Sequence, residues 1–172
     1  MIKVIGRKDF GSKIDVTDPC YDRDVWCRMN DVQIEPGEYE CYIDLLSDEE
    51  TGGWGERVAA IGIRKDESDS YRPIGSIGVD AGLAGFFNHK PDFTDDEWVS
   101  FCDALGGFKK QAWFYADGFF SNSGYGDGGY NVYATGPDDA YTGLYIQFIG
   151  DDDDEEDEDD WEDDCDEDME DD

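Results

Sequence analysis

Asp117-Gly118-Phe119-Phe120-Ser121-Asn122-Ser123-Gly124-Tyr125-Gly126-Asp127-Gly128-Gly129-Tyr130-Asn131-Val132-Tyr133 holds five glycines between aromatic, strand-like ends. Glycine is tolerated where φ is positive or where two backbones approach closely. Phe119, Phe120, Tyr130 and Tyr133 are placed to pack and hold such a loop. The stretch therefore reads as a specific turn between strands and not as a slack linker.

Working outward, strand signals recur on both sides. Glu38–Leu45 alternates, with Tyr39, Cys41, Ile43 and Leu45 on one face and Glu38, Glu40 and Asp44 on the other, which is the pattern of a half-buried strand. Ile2–Ile5, Lys13–Val16, Arg57–Arg64 and Ile74–Val79 read as further strands, the last apolar enough to be central. Along Arg57–Arg64 the same alternation groups Val58, Ala60 and Gly62 on one face, and Ala59, Ile61 and Ile63 on the other. Asp66–Arg72 reads as a hairpin connection. Downstream, Ala112–Tyr115 runs towards Phe120, and Tyr130–Ala134 and Leu144–Ile149 form a hairpin turned by Gly136-Pro137-Asp138-Asp139. Asp22–Asn30 reads as a loop or short helix offering Val25, Trp26 and Met29 for packing. The small residues of Asp80–Phe87 allow another segment to cross closely.

One helix stands out. Thr94-Asp95-Asp96-Glu97 is a capping box, and Trp98, Phe101, Cys102 and Leu105 follow helical spacing, with Gly106-Gly107 as the stop. About eight short strands and one helix predict a mainly β domain: an antiparallel β-sandwich or partly open barrel with one packed helix.

Charge divides the chain. Residues 151–172 hold 19 of the 46 acidic residues and none of the 13 basic ones, leaving 27 acidic and 13 basic residues in 1–150, a net of −14. The expected organisation is a globular domain over 1–150 and a disordered polyacidic tail over 151–172. A body of this length buries roughly 68–70% of its unfolded surface, enough for independent stability. Stretched out, the tail spans ~75 Å, and its charges fall about 4 Å apart, near the ~3.4 Å per phosphate of a nucleic-acid strand. Trp161, Cys165 and Met169 interrupt the acids at four-residue spacing. Direct nucleic-acid binding is disfavoured by the charge.

The five cysteines are odd in number, and Met1–Lys8 reads as a first strand rather than a secretion signal, so reduced thiols in the cytoplasm are expected. No stretch approaches the ~20 apolar residues of a membrane span.

Gly78-Val79-Asp80-Ala81-Gly82 with Phe86-Phe87, and Ser123-Gly124-Tyr125-Gly126-Asp127-Gly128-Gly129-Tyr130-Asn131-Val132-Tyr133, resemble an uncharacterised bacterial family, domain of unknown function 4241. Asp18-Pro19, Pro36-Gly37-x-Tyr39, Glu56-Arg57-Val58-Ala59 and Ile146-Gln147-Phe148 fit its shape too. The resemblance covers most of residues 12–149 and not the tail. It implies a shared fold and brings no established activity.

Candidate chemistry is sparse. Asp18, Asp80 and Asp127 stand at strand ends in glycine-rich or proline-restricted settings, and Arg57 and Tyr130 flank glycine loops. Meeting in space, the carboxylates would make a hard-cation site for Ca²⁺ or Mg²⁺, or an ion-pair network; apart, each braces its own turn. Cys20 is the most site-like thiol, but nucleophilic catalysis would have to use His89, the single histidine, in a polar loop. No phosphate-binding loop, dinucleotide fingerprint or zinc motif is present in the sequence, and no cofactor is expected. The leading expectation is a small acidic interaction protein that engages a basic partner, as a nucleic-acid mimic or inhibitor of a nucleic-acid-binding protein. The tail residues Trp161, Cys165 and Met169 would touch that partner. The alternative is an enzyme or a metal- or ligand-binding module built on Asp18, Asp80 and Asp127.

Overall fold

The alternation along Glu38–Leu45 organises one sheet. In the computed structural model, which describes residues 1–67, 70–105, 110–124 and 126–149, this segment is strand β4 (Gly37–Leu46). Its inward side chains Tyr39, Cys41, Ile43 and Leu45 enter the main core. The other strands are β1 (Ile2–Phe10), β2 (Lys13–Thr17), β3 (Met29–Gln33), β5 (Arg57–Arg64), β6 (Arg72–Val79), β7 (Leu83–Phe87), β8 (Ala112–Tyr115), β9 (Gly118–Asn122), β10 (Gly128–Thr135) and β11 (Gly143–Gln147). The single helix among the described residues is α1 (Asp95–Ala104).

Two antiparallel sheets result, ordered β1-β4-β5-β11-β10-β6 and β3-β2-β7-β9-β8. Their facing sides share one core, from Ile43, Ile61 and Ile146 on the first sheet to Val16, Phe86 and Phe119 on the second. The second sheet is covered on its other face as well. Leu83, Phe87, Trp113 and Phe120 pack there against Phe101 of α1 and Leu105 at its C-cap. The chain is thus a mainly β sandwich with a helix laid on one sheet.

Covering both faces explains the strands that alternation misses. Every residue of β7 is buried, so it has no polar face to read. The run from Ala112 towards Phe120 is a hairpin and not one strand. Ala116 (φ 55°) and Asp117 (φ 57°) make its two-residue turn between β8 and β9.

Four expectations are corrected. Asp66–Arg72 is no hairpin connection, because β5 and β6 are separated by β11 and β10. β6 is an edge strand, not a central one; the segment before β3 covers it, with Gly78 N–H donating to the Cys27 carbonyl. Val58 faces the core with Ile61 and Ile63, because the pairing slips between Asp44↔Ala60 and Leu45↔Val58 and Ala59 becomes a bulge residue. Trp26 does not pack; it is 91% exposed.

The α1 capping box forms as its residues specify: Thr94 Oγ1 accepts from Glu97 N–H, and the Glu97 carboxylate accepts from Thr94 N–H. Gly106-Gly107 and the tail, with Trp161, Cys165 and Met169, lie outside the described residues. No helix among the described residues is long and apolar enough to cross a membrane.

Candidate functional site

Asp18 follows the last residue of β2 and precedes Pro19, which holds the backbone extended. Its side chain is wholly buried. Oδ1 accepts from Cys20 N–H at 2.8 Å, and Oδ2 accepts from Asp80 N–H at 2.8 Å and Ala81 N–H at 2.7 Å. The carboxylate therefore ties the end of β2 to the turn after β6. Burial raises its pKa, while the three N–H donors pull it down. Burial and the neighbouring Asp18 charge push the Cys20 thiol up, away from the thiolate a nucleophile needs.

Asp80 meets Asp18 through its backbone only; its own side chain is exposed. Asp127 is exposed too, and the pairing of Val79 with Gly128 places it at the neighbouring strand end. The three carboxylates do not converge on one point: Asp18 spends both oxygens on N–H groups. Among the described residues, no group of three or more His, Cys, Asp or Glu is placed to hold a metal ion.

The glycine motifs do converge. Ser123 N–H donates to the Gly82 carbonyl at 3.0 Å, joining the two motifs across forty residues of chain. Inside the second motif, Ser123 Oγ and Tyr130 Oη both donate to the Gly126 carbonyl, at 2.8 and 2.6 Å. Burial and the Asp127 charge raise the Tyr130 phenol. Gly124 (φ 67°) is pinched: a Cβ there would lie 3.1 Å from the Val58 carbonyl oxygen. Beside these turns lies a polar cleft of about 370 Å³, lined by Glu56, Arg57, Gly82, Gln111, Asn122 and Ser123 among others. Tyr133 does not hold the loop; it stacks on Tyr145 at 4.8 Å.

A second cluster escaped the sequence. Asp15 lies in β2 between Ile14 and Val16 and is wholly buried. It takes Arg28 Nη2 at 3.0 Å, the Asp31 N–H at 3.1 Å and the Lys90 N–H at 3.0 Å. Lys90 is itself only 1% exposed, its Nζ has no hydrogen-bond acceptor among the described residues, and it sits 4.5 Å from the Phe93 ring centre. Burial and the nearby Arg28 lower its pKa. The signal available was a charged residue inside an apolar strand, informative only once that strand is covered on both faces.

The surface is predominantly acidic. Arg28 and Lys90 are buried, while Arg7, Lys8, Arg23, Arg64 and Arg72 lie on Glu38, Asp117, Asp31, Glu40 and Asp138. Helix α1 exposes Asp95, Asp96, Glu97 and Asp103 and has no basic residue in its last turn. No family model matches the chain, and no match was found among the curated proteins or the solved structures.

Proposed function

We propose that this chain is a small acidic binding protein of the cytoplasm that engages a basic partner, in particular the basic face of a nucleic-acid-binding protein. One observation carries this reading: the body spends most of its described cations internally or in local ion pairs, so acids dominate its surface, and 19 more acids follow in residues 151–172. Complementary charge raises association rates and selects basic partners. The tail's charge spacing suits a groove that ordinarily holds a nucleic-acid strand. Membership of the uncharacterised family is part of the proposal, supported by the contact between its two glycine motifs at Gly82 and Ser123.

The test uses core histones as a basic nucleic-acid-binding probe. Affinity is measured at 50 and 200 mM salt for the full chain and for a full-length variant with residues 151–172 changed to Ser and Gly. The full chain should bind at least tenfold more tightly at low salt, lose affinity more steeply with salt, and be displaced by duplex DNA. Equal affinities and equal salt slopes would overturn the reading.

A second reading, a ligand-binding module, draws on the polar cleft beside Gly82 and Ser123. Its chemistry would come from Glu56, Arg57 and the amides of Gln111 and Asn122 rather than from Asp18.

A further inference from the structure

The open side of the sandwich presents two unpaired edges together. β1 pairs only with β4, and β8 only with β9. Between them lies a groove of about 630 Å³ lined by Lys3, Val4, Ile43, Lys110, Phe114 and Tyr115 among others. Val4, Phe114 and Tyr115 are 49%, 42% and 45% exposed, a concentration of bare apolar surface. The Phe114 ring bridges the sheets, lying 3.1 Å from where a Cβ on Gly6 would sit. Lys3 and Lys110 are exposed, and neither has a carboxylate within ion-pair distance among the described residues. On a molecule of net charge −33, this is a mixed groove, more polar than apolar along its lining, in which Val4, Phe114 and Tyr115 are the bare apolar part and two lysines stand beside them.

We propose that this groove is the docking site of the chain's own acidic C-terminal segment, with Trp161, Cys165 and Met169 as its apolar anchors. The described chain reaches Ile149, which lines the same hollow on the outer sheet face as Ile2, one residue before Lys3. β11, which ends two residues before Ile149, lies three strands from β1 across the same sheet, a distance of ~14 Å. Eleven residues lie between Ile149 and Trp161, a reach of up to ~40 Å, comparable with the width of a body whose radius of gyration is ~15 Å. The three anchors are the only residues of 151–172 that are not acidic. They match Val4, Phe114 and Tyr115, and the acids around them match Lys3 and Lys110.

Competing occupants fit worse. A second copy would bring two chains of net −33 together, and a basic partner would meet lysines. Screening limits the repulsion between tail and body to charges within ~8 Å of one another at physiological ionic strength. Tethering also makes the docking intramolecular, at an effective concentration of order mM. This inference does not depend on a basic partner existing.

Hydrogen exchange on the full chain tests it, against full-length Trp161→Ser and the double variant Lys3→Glu with Lys110→Glu. The amides of Ile2–Ile5 and Ala112–Tyr115 should exchange at least threefold faster in both variants, with the rest of the body unchanged. Trp161 lies in the tail, so that variant keeps the body's sequence intact. If the charge reversal unfolds the body, Lys3→Gln with Lys110→Gln replaces it. Equal exchange at β1 and β8 in the native chain and Trp161→Ser would overturn the proposal. So would protection that deepens with protein concentration, which would assign the groove to a second copy.

Discussion

Asp18 shows how one side chain can hold a turn without doing chemistry. Its oxygens satisfy three backbone N–H groups, on Cys20, Asp80 and Ala81. Leaving buried donors unsatisfied costs about 1–3 kcal/mol each, and part of that is recovered if water enters. Asp18→Ala should therefore lower stability by about 3 kcal/mol in urea unfolding; a loss under about 1 kcal/mol would mean the turn is held by something else. Lys90 makes the opposite case. Its folded-state pKa is lowered by burial, so the unfolded chain binds its proton more readily. The resulting penalty is fully present below the lowered folded value. It fades as pH rises from the lowered folded value towards the ordinary lysine value. Lys90→Met keeps the length that packs on Phe93 and removes the charge. It should stabilise the protein at pH 7 by about 1 kcal/mol or more, and the two proteins should converge in stability at alkaline pH. A variant less stable than the native chain at pH 7 would show that the ammonium over Phe93 is a net gain.

At the scale of elements, legibility followed exposure. Helix α1 was readable because its caps are local, and β4 because one face meets water and the other the core. β7 and β9 were hidden because α1 covers the far side of their sheet and erases the polar half of the pattern. β6 looked central because a loop, not water, covers its edge. The candidate site was legible to the same degree. The glycine motifs pointed to the place where Gly82 and Ser123 meet, but nothing local told Asp18, a brace, from Asp80, an exposed side chain. The hidden pair β7–β9 carries its own prediction. A Cβ on Gly85 would lie 2.1 Å from the Phe119 carbonyl oxygen and 2.4 Å from Phe120 Cα, so the strands would have to part. Gly126 (φ 119°) has no atom within 4 Å of such a Cβ and faces conformational strain alone. Gly126→Val should cost about 1–3 kcal/mol, and Gly85→Ala more than ~3 kcal/mol despite adding only a methyl group. The reverse ranking of urea midpoints would mean that β7 and β9 are not paired in this register.

Across the whole molecule, charge sets the balance that packing must withstand. Folding gathers the −14 of residues 1–150 into one body beside 19 further acids, whereas the unfolded chain lets all of them spread. Self-repulsion of this kind opposes the compact state. Local pairs such as Arg64 with Glu40 at 2.8 Å relieve little of it, since partly exposed ion pairs contribute ~1 kcal/mol or less. Salt should act chiefly on the repulsion, because it screens charges spread over the surface more than short contacts. Raising NaCl from 20 to 500 mM should therefore raise the melting temperature of the full chain by several degrees, the shift that about 1 kcal/mol produces in a domain of this size. The variant with residues 151–172 neutralised should gain less, since only the body's −14 is left to screen. A melting temperature that stays flat or falls with salt in the full chain would mean that attractive pairs outweigh repulsion. The outcome bears on binding as well: a molecule destabilised by its own charge is stabilised by any cation-rich surface that binds the folded state, and that linkage is strongest at low salt.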